Sequence, residues 1–258
     1  MALIPTHFFK AIVAIGVSDG TDTQWAGTGF MYGYGVGPKD GKPQMRTFLV
    51  TNKHVLEGLN SVILRFETSS GRSSEFNISL LQNGKSIWTG HSDPEIDVAV
   101  IPVNGDFLEQ QLGQVNVFSD HADCLVLNSP IANHLSEGDS IFLLGFPLGL
   151  VDKIENLPIV RGGTLARFKD CKAGRTKYFL IDSQNFPGNS GGPVLNRPEI
   201  ATLQGTGTVS TAHLIGIVMG YYPTYGNEEN SGLAIVFPVD CIYQTIVQTI
   251  EAEKSLGT

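Results

Sequence analysis

The chain has 258 residues, 41% of them hydrophobic, so it can bury a substantial core. Its formal net charge of -8 comes without any lysine- or arginine-rich block, which excludes the basic stripe of a nucleic-acid-binding surface. No apolar run approaches the roughly 20 residues that span a bilayer, so no membrane partner is expected.

The 30 glycines predict many tight turns. From the N-terminus, Met1–Gly20 lacks the charged start, apolar run and cleavage site of a signal peptide, and Ala11–Val17 reads as a first strand. Strand-like runs follow at Gly27–Tyr34, Thr47–Thr51, Ser61–Phe66, Phe76–Leu81 and Val98–Val103, rich in Val, Ile and Phe and bounded by turn formers. A polar, helix-tolerant stretch runs from Asp106 to Ala122. The part around Phe107–His121 is the expected joint between two halves. Further strands are predicted at Cys124–Leu127, Ile141–Phe146, Ile159–Phe168, Tyr178–Asp182, Pro193–Leu195, Leu214–Tyr221 and Gly232–Phe237. From about Val239 the period changes, and Ile242, Ile246, Val247 and Ile250 share one face of a C-terminal helix.

The expected fold is therefore all-β: two packed six-stranded antiparallel β-barrels, residues 1–115 and 116–258, the second ending in the helix. Cys124, Cys171 and Cys241 are odd in number, widely spaced and without metal-ligand spacing. They read as buried, reduced thiols of a cytoplasmic protein. No cofactor or metal is expected.

The strongest chemical signal is Pro187-Gly188-Asn189-Ser190-Gly191-Gly192-Pro193. A serine flanked by glycines can stand in a tight turn with its hydroxyl exposed. The backbone N–H groups of the Gly188-Asn189-Ser190 stretch, Gly188 and Ser190 above all, can then converge on one oxyanion. Two further segments change the odds for this turn. Val50-Thr51-Asn52-Lys53-His54-Val55 sets a histidine just after one strand, and Glu95-Ile96-Asp97-Val98-Ala99-Val100 sets an aspartate at the mouth of another. The order His54, Asp97, Ser190 suits a triad whose base and orienter come from the first half and whose nucleophile comes from the second. Asp93 is the other possible orienter, but Asp93-Pro94 reads better as turn chemistry.

The chain resembles the trypsin-like serine peptidases, and more closely the protease domain of the HtrA/Deg family. The resemblance rests on Gly27-Thr28-Gly29-Phe30, on Thr51–Val55 and on Asp93–Ile101. It continues through Gly145-Phe146-Pro147-Leu148-Gly149, Asp182 with Pro187–Pro193, and Gly232-Leu233-Ala234-Ile235 before Pro238. It implies a trypsin-like double barrel and a serine endopeptidase acting on proteins or peptides through an acyl-enzyme, with the catalytic triad His54, Asp97 and Ser190. Two departures matter. Asn189 stands where digestive enzymes carry an aspartate paired with a processed N-terminus, so no zymogen cleavage is expected. No PDZ module is expected after the protease segment.

The specificity pocket is expected to involve Ser183, Gln184 and Phe186, with a wall through Met219, Gly220 and Tyr221. Gln184 lacks the charge that would select Lys or Arg, so a small or medium uncharged side chain is expected at the cleaved position. Glu228 and Glu229 read as a solvated acidic loop. Phe8 and Phe9 cap the first barrel or pack a trimer like that of HtrA proteins. Two rival readings remain. Gly188–Gly192 literally fits the G-x-S-x-G of α/β-hydrolases, but His213 comes too soon after the serine. A protease fold can also serve as a silent or conditionally activated scaffold.

Overall fold

The computed structural model describes residues 3–39, 41–199, 207–224 and 230–256. Glu228 and Glu229 lie outside these described residues.

The N-terminal half builds an antiparallel sheet from β1 (Ile12–Ser18), β2 (Thr23–Lys39), β3 (Lys42–Thr51), β4 (Ser61–Glu67) and β5 (Ser73–Ser79). The short β6 (Leu81–Gln82), β7 (Lys85–Ser86) and β8 (Thr89–Gly90) precede β9 (Ala99–Val103). The order is β5-β4-β1-β2-β3-β9-β8, with β6 and β7 as a separate hairpin. β10 (Phe118–Ser119) adds to β2 in parallel, so the expected joint partly belongs to the first sheet. The rest of that joint is α3 (Gly105–Leu112), capped by the Asn104 side chain and ended by Gly113 with φ 74°.

In the second half, β11 (Ser140–Gly145), β12 (Ile159–Arg167), β13 (Phe179–Asp182), β14 (Pro193–Asn196), β15 (Leu214–Pro223) and β16 (Asn230–Pro238) close a six-stranded barrel. The chain is thus mostly β, as expected, although hydrogen bonds close only the second half into a barrel. Cys124–Leu127 is not a strand. Only Cys124 bridges to Leu214, and the Leu127 N–H turns instead to the Asp240 carboxylate at 3.0 Å.

Strand alternation builds the cores. On β11, Leu143 points into the second barrel while Leu144 joins the first core across the interface. Phe8 is fully buried, with its ring 4.5 Å from Phe118, and Phe9 packs beside it, so this pair plugs the first half. Truncating Phe8 to alanine would cost about 3–5 kcal/mol. The helix α5 (Val239–Leu256) buries Ile242 and Ile246 as its period predicts. The hydroxyls of Thr245 and Thr249, also buried, donate to carbonyls one turn back. From its other side, α5 reaches the loop before β9: Gln248 accepts from Ser92 N–H, and Gln244 meets His91.

Candidate active site

The pairing of β3 with β9 sets Thr51 opposite Ala99, so the residues just past these strand ends lie side by side. There the one-turn helix α2 (Lys53–Leu56) carries His54, and the approach to β9 carries Asp97. The Asp97 carboxylate accepts from His54 twice, from Nδ1 at 2.5 Å and from the backbone N–H at 3.1 Å. Buried Asn52 donates to the Asp97 carbonyl at 2.5 Å, fixing the backbone beneath. A carboxylate so placed keeps the proton on Nδ1 and leaves Nε2 of the half-exposed ring as a base. Asp93 faces elsewhere. Its carboxylate pairs with Lys177 at 2.5 Å and accepts from Glu95 N–H, as its turn chemistry suggested.

The Ser190 turn is built from the other side. Asn189 N–H donates to the Phe186 carbonyl at 3.1 Å, closing a turn with Pro187 and Gly188 in the middle. Proline fixes a negative φ at the second position and Gly188 has φ 96° at the third, which makes this a type II turn. The Pro187 carbonyl accepts from Leu148 N–H at 2.7 Å. Because C=O and N–H of a trans peptide point opposite ways, this directs Gly188 N–H away from Leu148. The N–H groups of Gly188 and Ser190 have no acceptor among the described residues. Two free donors at this turn are what an oxyanion hole requires. Asn189, named with them from sequence, is corrected: its N–H is spent on closing the turn.

The turn docks on the first sheet through Thr28. Its N–H donates to the Ser190 carbonyl at 2.8 Å, and its hydroxyl donates to the Gly188 carbonyl at 2.6 Å while accepting from Phe146 N–H. At Gly191, with φ 85°, a Cβ would lie 2.0 Å from the Thr28 carbonyl oxygen and 2.4 Å from Thr51 Oγ1, so only glycine fits. Thr51 ends β3, three residues before His54. The Ser190 hydroxyl itself donates to the Met219 carbonyl at 2.9 Å rather than to His54. Asn189 is 1% exposed, and neither of its side-chain amide atoms has a partner among the described residues. An aspartate there would be a buried charge without a counter-ion.

Around the expected pocket, exposure alternates along the extended chain. Ser183 and Asn185 are buried, whereas Gln184 is exposed. Phe186 lies half-buried under the Arg161 guanidinium at 5.2 Å. Met219, Gly220 and Tyr221 lie along β15, and a Cβ on Gly220 would meet nothing within 4 Å, so the wall is open there. The cysteines offer no competing nucleophile. Burial pushes the Cys171 and Cys241 thiols up to about 12 and that of Cys124 higher still. His213 meets Thr211, and the single parallel strand pair among the described residues, β10 with β2, is not an α/β-hydrolase sheet.

A glycine-flanked serine on a closed barrel, docked against the strand that leads to a histidine–aspartate pair, is the arrangement of the trypsin-like class. The trypsin-like peptidase domain model matches residues 27–199, and the chain belongs to that family. It is 28% identical over 158 residues to the serine protease Do-like HtrA of Bacillus subtilis (strain 168), a match covering 60% of this chain and 29% of that relative. The chain thus spans less than a third of that relative's length. The fold is shared with the MamO protease domain of Magnetospirillum magneticum (TM-score 0.51, 16% identity, 92% of this chain and 96% of that one). It is also shared with the HtrA-type protease AlgW in complex with a decapeptide (TM-score 0.50, 18% identity, 94% and 66%).

Proposed function

We propose that this protein is a serine endopeptidase that cleaves protein or peptide substrates through an acyl-enzyme. The observation that carries the reading is the pair of unoccupied amide donors flanking Ser190, in a turn tied through Thr28 to the sheet of the His54–Asp97 pair. Substrate binding releases the Ser190 hydroxyl from the Met219 carbonyl, and rotation about Cα–Cβ turns it toward His54. Oγ attacks the scissile carbonyl carbon as Nε2 takes its proton, and the displaced electron pair settles on the oxygen between the Gly188 and Ser190 N–H groups. His54 then gives the proton to the leaving amine, and the C–N bond breaks. Water, deprotonated by His54, attacks the ester and frees Ser190.

The rival reading is a protease fold that serves as a scaffold without chemistry. The test is treatment with a fluorophosphonate followed by mass spectrometry. A single adduct on Ser190, absent in His54→Ala, is expected; an intact serine at saturating reagent would sink the reading.

A further inference from the structure

The connection between β11 and β12 is built inside out. Its backbone is fastened to the first sheet by polar groups. Buried Arg65 donates to the Asp152 carbonyl at 2.5 Å and the Glu155 carbonyl at 3.1 Å, and fully buried Asn156 donates to the Ile12 carbonyl at 2.8 Å. Its apolar side chains face water instead: Leu148 is 64% exposed, and Leu150 and Ile154 are each 57% exposed. Single surface leucines are ordinary, but a fixed run of apolar side chains marks a contact surface.

Leu148 carries a second cost. Its φ of 58° and ψ of 20° are left-handed, a conformation that glycine adopts freely and a leucine Cβ opposes. Among the described residues only Asn83 shares a positive φ without being glycine, and asparagine tolerates that region. A leucine kept in such a backbone and exposed there is an outlier that calls for a use.

Its position points to one. Leu148 N–H donates to the Pro187 carbonyl at 2.7 Å, and a Cβ on Gly188 would lie 3.2 Å from Leu148 N, so the leucine adjoins the turn of the oxyanion donors. That turn leads into β14, whose two ladder neighbours are β15 and β11. β15 carries Met219, Gly220 and Tyr221, the wall expected to receive the acyl half of a substrate. β11 runs on the other side and leads to Leu148. There the chain meets Trp25 of β2: a Cβ on Gly149 would lie 2.9 Å from the Trp25 carbonyl oxygen and 3.6 Å from its Cβ. Trp25 stands three residues before Thr28, which clamps the serine turn.

Resting on the peptidase reading above, we infer that Leu148 and Leu150, beside Trp25, bind an apolar side chain on the leaving side of the substrate, within the two residues after the scissile bond. A leucine there covers the exposed side chains and leaves water itself, a gain worth about tenfold or more in kcat/KM. A serine or a charged residue would leave the surface wet.

The test is a set of quenched peptides with a constant acyl half and Leu or Ser at the first or second position after the scissile bond. The wild-type protein should show kcat/KM at least tenfold higher for Leu than for Ser at one of these positions. Leu148→Gly, which relieves the left-handed backbone and should not lower Tm, should bring that ratio at least fivefold closer to one. The Ser peptide is the internal reference for any change at the oxyanion turn. Leu150→Ser should lower the ratio independently. A preference for Ser at both positions, or a ratio moved by neither variant, overturns the inference while cleavage itself leaves the peptidase reading standing. A second readout needs no turnover: the Leu148 and Leu150 methyl resonances of the Ser190→Ala protein, titrated with the same peptides. Shifts with the Leu peptides alone support the subsite even if the fluorophosphonate fails to label Ser190. Equal shifts, none, or shifts that follow protein concentration alone and so report a second copy on this face, overturn it.

Discussion

The two sides of the site are prepared in opposite ways. On the first sheet the histidine–carboxylate pair is already assembled: both Asp97 oxygens accept from His54, and Asn52 holds the backbone below. On the barrel, donors are held ready and left open. Among the described residues, Gly188 and Ser190 N–H have no acceptor, and the serine hydroxyl rests on Met219. The difference follows from when charge appears. The imidazole must have the right tautomer before reaction, so its partner is permanent, whereas the oxyanion exists only during reaction, so its donors must be rigid and empty.

Breaking either side gives the largest expected effect. Ser190→Ala and His54→Ala should each lower kcat by about 10^6, and the double variant should fall no further, because the groups act as a unit. Steady-state rates on one peptide substrate check this; losses that multiply would separate the two sides. Asp97→Asn should fall by about 10^4 with KM little changed, since the amide favours the wrong tautomer and leaves the fold intact. Activity should also decline on acidification, because only the neutral imidazole accepts the hydroxyl proton. A rate unchanged down to about pH 4 would contradict a histidine base. On the barrel side, Gly191→Ala forces a Cβ into the Thr28 carbonyl at positive φ. It should cost about 3 kcal/mol of stability by denaturant titration. A variant as stable as wild type would mean that the turn is not clamped to β2.

His54 and Asp97 could be picked out because each stands by a strand end, where an apolar run meets a polar residue, Ser190 because glycines flank it, and the helix after Val239 because the period changes. What joins them was not legible. The opposition of Thr51 and Ala99, and the docking of Gly191 on Thr28, depend on pairing between segments far apart in the chain, which composition does not encode. Along the chain before the serine, exposure alternates, with Gln184 exposed and Asn185 buried, a pattern that only the folded backbone reveals. The segment Cys124–Leu127 had the apolar character of a strand, yet Asp240 offered Leu127 a side-chain acceptor in place of a ladder.

A surface link between the two sides provides the smallest effect and the finest test. Lys177, just before β13, reaches across to Asp93 at 2.5 Å and Glu95 at 2.6 Å, in the segment that leads to Asp97. The lysine holds the Asp93 carboxyl below its usual range, aided by Glu95 N–H, and the two carboxylates raise the lysine in turn. Because Asp93 is depressed in the folded protein, its contribution is present above the unfolded carboxylate value of about 3.9 and is lost as pH falls through the lower folded value. The raised lysine adds stability below its unfolded value of about 10.4, which is lost as pH climbs through the folded one. Lys177→Met should therefore lower Tm at neutral pH by no more than about 3 °C, since the groups are solvent-screened. The gap should close below the carboxylate range and shrink in high salt. If kcat falls with it while KM holds, the link also steadies the Asp97 approach. If only Tm moves, α5 alone suffices through Gln244 and Gln248 to hold that loop.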